Sequence, residues 1–245
     1  MRAYREALEI MEGDAERGRN HPKTIGMMLQ LSAVLTQHQG KLQEAEEVVR
    51  AAVSRLERTT DPALDPLRVR AWTELSTILT HSAYDGSGGS LDDAARYSSR
   101  AVVLGERVLE AARGPGETHS AVRDLALAHS DHGALLQHQG KWPEAEKAER
   151  KALELLDRVA TDGGGASPEL RTPCLVVLAT CLKNQGKDQE AEALIREAHS
   201  IYDSTLGPSH PNTVAALFEL AVLLQRTGRC VPLYPTPQTL NASSS

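Results

Sequence analysis

A seven-residue box returns along this chain, and no other feature constrains its fold as strongly. It reads Gly-Lys-Leu-Gln-Glu-Ala-Glu over 40–46, Gly-Lys-Trp-Pro-Glu-Ala-Glu over 140–146 and Gly-Lys-Asp-Gln-Glu-Ala-Glu over 186–192. A weaker form is Leu91-Asp92-Asp93-Ala94-Ala95. Ala45, Ala94, Ala145 and Ala191 therefore mark one register, with steps of 49, 51 and 46 residues. Self-similarity at a near-constant period is the signature of stacked repeats, because one such unit cannot bury its apolar face alone. A stack of this kind builds an extended surface, so the sequence speaks for binding more clearly than for any chemistry.

The repeat is helical. From each anchor an apolar stripe runs at spacings of three and four: Ala45, Val48, Val49, Ala52 and Leu56 in the first copy, and Ala191, Leu194, Ile195, Ala198 and Tyr202 in the last. These are faces of amphipathic helices, and strand-type alternation is absent. Another helix precedes each anchor and stops at Gly40, Gly140, Gly186 or Gly228, where a left-handed glycine cap is predicted. Small residues twelve positions before three of the anchors, Ala33, Gly133 and Ala179, let the two helices approach closely. Ser76 fits that site in the second repeat, where Asp85–Ser90 reads as an inserted flexible loop and 161–166 as a second one. First helices open on His21-Pro22, Asp65-Pro66, Ser167-Pro168 and His210-Pro211, with Asp65 and Ser167 as N-cap types. The predicted helices are a leading one over 2–17, pairs over 23–58, 66–112, 118–160 and 168–204, and a last one over 211–227. Hydrophobic content of 40% with only 3% aromatic residues suits such small-residue helix packing.

A net charge of −6 gives no electrostatic footprint for nucleic acid or an anionic membrane. No apolar run approaches the roughly 18 residues of a membrane span, and the first residues lack a secretory apolar segment. The expectation is a soluble, cytoplasmic protein with its thiols, Cys174, Cys181 and Cys230, reduced. Catalytic and nucleotide-binding motifs are missing, so no enzyme activity and no cofactor are expected. The Gly-rich loops lack the phosphate-cradling pattern. His38, His81 and His138 recur at one repeat position, roughly 10 Å apart per neighbouring element, too far to share an ion; no metal site is expected. The pairs Glu46–Arg50, Glu146–Arg150 and Glu192–Arg196 read as stabilising surface contacts.

A small residue in the first helix, Ala at twelve further on and Ala again at seven beyond (Ala52, Ala101, Ala152, Ala198) resembles the tetratricopeptide repeat. The segment Leu206-Gly-Pro-Ser-His-Pro-Asn-Thr213 resembles the linker of the kinesin light chain and nephrocystin subfamily, and Asn20–Thr24 repeats its end. Cys181–Lys187 is similar to a helix-to-helix turn of kinesin light chains. The resemblance covers about residues 1–229 and implies an all-α, right-handed α-solenoid of antiparallel helix pairs, with first helices lining a concave groove. It divides the chain into a partial repeat (1–22), an array of four helix pairs and one unpaired terminal helix (23–229), and a disordered Pro- and Ser-containing tail (230–245).

Within that register, Gln37 and His38, Thr80 and His81, Gln137 and His138, Lys183 and Asn184, and Gln225 and Arg226 fall at equivalent sites. The resemblance places this row in the groove, where its donors would hold an extended peptide; a solvated helix end is the other reading, and both stay open. A clamp for acidic C-termini is rejected, since Leu31, Glu74, Asp131, Val177 and Glu219 occupy its places. The function expected is a non-catalytic scaffold for a peptide or protein partner, with no nucleic acid and no membrane. The alternative is the regulatory arm of a larger multidomain enzyme or nucleotide switch. Pro232, Pro235 and Pro237 forbid a regular helix after 229, which leaves Leu217, Leu220 and Leu224 without an intra-repeat partner and predicts self-association through the C-terminal helix.

Overall fold

Glycines in the left-handed region punctuate the chain where the periodic stripes end. Gly140, Gly186 and Gly228 have φ of 72°, 77° and 69°. Each sits in the same paired cap: Lys141 N–H reaches back to the Leu136 carbonyl at 2.9 Å, Lys187 to Leu182 at 2.9 Å and Arg229 to Leu224 at 2.9 Å. These bonds satisfy carbonyls that a helix end leaves without partners, and a side chain at such a φ would be strained. The computed structural model describes residues 2–13, 18, 20–36, 41–160 and 168–229; Gly40, Cys230 and the 230–245 tail lie outside them.

The described residues form an all-α solenoid of helix pairs without strands. The helices are α1 (Arg2–Gly13), α2 (Pro22–Thr36), α3 (Leu42–Glu57), α4 (Asp65–Tyr84), α5 (Leu91–Ala111), α6 (Pro115–His138), α7 (Trp142–Val159), α8 (Pro168–Asn184), α9 (Asp188–Leu206) and α10 (Pro211–Arg226). The chain divides into two units, 1–174 and 175–245, with the division inside α8. In the first unit each helix packs on its neighbours in the chain, and the first helices α2, α4 and α6 also touch in succession. In the second, α10 packs on α9.

Two helix starts are built alike. The His21 and His210 rings accept backbone N–H bonds from Lys23 (3.1 Å) and Asn212 (3.2 Å), and a proline follows each. Thr24 and Thr213 hydroxyls reach back six residues to the Gly18 and Gly207 carbonyls, at 3.0 and 2.9 Å. The His-Pro-x-Thr motif is thus a capping device: ring acceptor, proline where no donor is needed, hydroxyl closing the linker. At the second pair the predicted Asp65 cap is replaced. Asp61 caps a short 3-10 turn over Pro62–Leu64, accepting from Ala63 N–H at 3.0 Å, and α4 begins at Asp65 itself. Ser167 lies outside the described residues.

Small residues set the spacing within pairs. Ala45, Ala52, Ala94, Ala101, Ala145, Ala152, Ala191 and Ala198 are all fully buried. Ser76 donates its hydroxyl to the Ala94 carbonyl at 3.0 Å, so a polar small residue is tolerated by closing onto the partner helix. In the first pair Ser32, not Ala33, is the buried small residue. At Gly133 an added Cβ would come within 2.6 Å of Glu149 Oε1, so glycine there gives the carboxyl its space. The insertion at 85–90 is an ordered turn. Asp85 accepts from Ser87 N–H at 2.9 Å, Ser90 caps α5 by accepting from Asp93 N–H at 3.1 Å, and Gly89 lies against the α4 backbone.

A buried arginine that periodicity does not reveal closes the junction between the first two pairs. Arg68 donates to the carbonyls of Leu56 (3.2 Å), Thr59 (2.5 Å) and Asp61 (2.8 Å) and pairs with Asp65. It satisfies the end of α3 and the start of α4 together.

Candidate binding surface

The polar row predicted on the first helices can be followed in each unit separately. Gln37 and His38 lie outside the described residues. In the first unit Thr80 and His81 close α4, and Gln137 and His138 close α6. Thr80 is buried, its hydroxyl bonded to the Ser76 carbonyl at 2.8 Å, whereas His81 is exposed. Gln137 is half-buried and His138 exposed. The two helix ends are joined by Tyr84, whose ring lies 4.3 Å from that of His138 and whose hydroxyl donates to the His138 carbonyl at 3.2 Å. The register does not reveal Tyr84, because it stands at the edge of the insertion that breaks it. Burial and the neighbouring His81 both lower the pKa of His138, so the stacked ring is neutral at ordinary pH.

In the second unit Lys183 donates to Glu219 at 2.5 Å, and Asn184 turns back to the Thr180 carbonyl at 2.8 Å. Arg226 donates to the Lys183 carbonyl at 2.7 Å and pairs with Asp188, while Gln225 is exposed. The cations of the row are thereby engaged within the array. Glu219 also lines a cavity of about 140 Å³ together with Val176, Thr180, Ile195, Tyr202 and Ala216. The third Glu–Arg pair goes beyond a surface contact: buried Glu192 holds both Arg196 and Arg229, the latter at 2.7 Å.

Six residues before Thr80 and Gln137, one face of the first unit carries carboxyls on successive first helices. Glu74 accepts from the Ser32 hydroxyl at 3.0 Å. Burial raises its pKa against the pull of Ser32 and Arg70. Burial likewise pushes Asp131 up to about 7, with the Thr77 hydroxyl lowering it and Glu74 raising it. Asp124 is raised by burial, partly offset by Arg70 and Arg123. Two nearby histidines are held neutral: burial, with His132 and Lys151, lowers His129 to about 4, and His132, whose Nδ1 lies 2.7 Å from the Ser98 hydroxyl, is lowered by burial. This face combines hydrogen-bonding carboxyls and neutral histidines with the nearby cations Arg70 and Arg123.

Behind that face, Glu149 of α7 is wholly buried with both carboxyl oxygens lacking a hydrogen-bond partner within normal geometry. Burial raises its pKa well above the carboxylate range, so it is held as the neutral acid. The adjacent Cys174 thiol, 3.4 Å from the Ser130 hydroxyl, is pushed up to about 12 by burial and by Glu149, and it is not a nucleophile. Among the described residues no group of His, Cys, Asp and Glu is placed to hold a metal ion, and no helix is long and apolar enough to cross a membrane.

Residues 174–231 match the tetratricopeptide repeat family model. No curated protein sequence matches the chain. Among solved structures, a Podosopora anserina protein of nearly identical TPR-like repeats, named after the kinesin light chain, is similar at 21% identity. The match covers 85% of this chain and 89% of that one, with a TM-score of 0.56. A point variant of that protein matches to the same extents, with a TM-score of 0.57. BtubC (BKLC) from P. vanneervenii is 18% identical over 99% of this chain and 84% of its own, with a TM-score of 0.63. At these identities the likeness is one of fold.

Proposed function

We propose, from a chain with tetratricopeptide repeat sequence at 174–231 and the helix-pair fold of kinesin-light-chain-like arrays, that this protein is a non-catalytic scaffold binding an extended peptide segment of a protein partner. The observation that carries this reading is the face of the first unit on which Glu74 and Asp131, then His81, Gln137 and His138, stand at repeat-equivalent places. Two helix ends are tied there by Tyr84. Exposed and half-buried polar side chains and carboxyls at helix-packing intervals match the alternate backbone and side-chain groups of an extended chain. The same proposal includes a cytoplasmic setting.

Selection from a random peptide display library against the purified chain tests it. Peptides selected on the wild type are expected to bind the Gln137→Ala/His138→Ala double variant about tenfold or more weakly, the equivalent of ~1.4 kcal/mol. The helical circular dichroism should stay unchanged. Selected peptides that bind the variant as well as the wild type would reduce the row to a solvated helix end.

A further inference from the structure

The two most exposed large apolar side chains, Ile10 and Phe218, stand on the first and last described helices. On α10, Val214 and Leu217 are each 52% exposed and Phe218 66%. On α1, Ile10 is 73% exposed. The register gives these positions a meaning. Aligning Gly228 with Gly140 lays α10 on α6 and places Val214 where α6 has Ala126. Aligning the Arg-Glu-Ala of 5–7 with that of 196–198, and so Ala7 with Ala152, lays α1 on α7 and places Ile10 where α7 has Leu155. In the complete α6/α7 pair Ala126 and Leu155 are each 1% exposed and belong to one buried cluster with Val122 and Leu125. Ile10 and Val214 are therefore the two halves of a contact that the array makes within a pair and leaves open, among the described residues, at each end.

The two halves are complementary in kind as well as in position. α10 is a first-type helix showing the side on which a second-type helix sits. α1 is a second-type helix, already packed on α2 and ion-paired through Glu12 to Arg55 at 2.6 Å, with its other apolar position outward. We propose that α1 of one copy of this chain docks antiparallel on α10 of a second copy, Ile10 against Val214 and Leu217, so that two ends complete one helix pair. The contact is head-to-tail, so each copy offers one α1 and one α10, and association either closes on itself or continues as a filament. The proposal rests on the repeat register and not on the peptide-binding reading, so the Gln137→Ala/His138→Ala variant is expected to associate as the wild type does.

Sedimentation velocity of the full chain over a wide concentration range is the experiment, with Ile10→Glu and Leu217→Glu as variants. Both side chains are exposed, so each variant should keep the wild-type helical circular dichroism. The wild type is expected to gain mass above the monomer as concentration rises, and each variant alone to lose every species heavier than the monomer. An equal mixture of the two variants retains one intact α1 and one intact α10, and should give a species of two chains and none larger. A wild type that stays monomeric at every concentration overturns the proposal. So does an Ile10→Glu variant that associates like the wild type, since α10 would then be pairing with itself.

Discussion

Asp131 shows how a single side chain can set the pH response of this array. Its folded pKa of about 7 lies above the ordinary 3.8, mainly through burial. Its contribution to stability is therefore full below the unfolded value and disappears as pH rises through about 7. The histidines run the other way. His129, lowered to about 4, contributes stability above its ordinary 6.5 that is lost as pH falls toward 4. Within pH 4–7 the two trends oppose one another and the wild-type melting curve should move little. Asp131→Asn keeps the shape and removes the charge, so its melting temperature is expected to gain on the wild type steadily from pH 4 to 7. The gain should reach on the order of 2 kcal/mol, discounted because Asp131 as a residue is only half-buried. A difference that stays constant across that range would show that Asp131 ionises normally.

At the level of the helix and its connections, the inserted turn between α4 and α5 carries more structure than a Gly- and Ser-rich composition suggests. A Cβ on Gly89 would fall on the Leu79 carbonyl oxygen and meet Ser82 Cβ at 2.7 Å. Gly89→Ala must therefore push the turn off α4, at an expected cost of about 1–3 kcal/mol in thermal unfolding. Gly88→Ala, with nothing near its Cβ but a φ of 98°, should cost only the smaller backbone strain. Equal losses for the two would mean that the turn does not lie against α4. The helices themselves are legible in the sequence because 3.6-residue periodicity, X-Pro starts and glycine caps are local signals. The long-range polar contacts are not: Arg68 answers carbonyls nine and twelve residues away, and Tyr84 meets His138 across 54 residues. Periodicity reports which face is buried, whereas these contacts depend on how two helix ends meet. The register does place His81, Gln137 and His138 on neighbouring helix ends. It misses that Thr80, Lys183 and Arg226 are already bonded within the array.

For the whole molecule, stability should be a sum of neighbouring terms, since packing follows chain order. Leu223 is fully buried in α10, and Leu223→Ala is expected to cost about 2–5 kcal/mol locally. Hydrogen exchange read by mass spectrometry should then quicken in α9 and α10 and stay unchanged in α2 to α5; a uniform acceleration would mean that the chain unfolds as one body. The fit of Glu149 into the space left by Gly133 carries a different consequence, for how such an array can be shuffled. The boxes around Ala145 and Ala191 look interchangeable in sequence, but Glu149 as it lies fits a partner with no side chain at the facing position. The equivalent position of α8 is Ala179, and of α4 is Ser76. Recombination that gave α7 either helix in place of α6 as its pair partner would set a methyl or hydroxymethyl group against a buried carboxyl. A grafted α7 is therefore expected to fit best when α6 is moved with it.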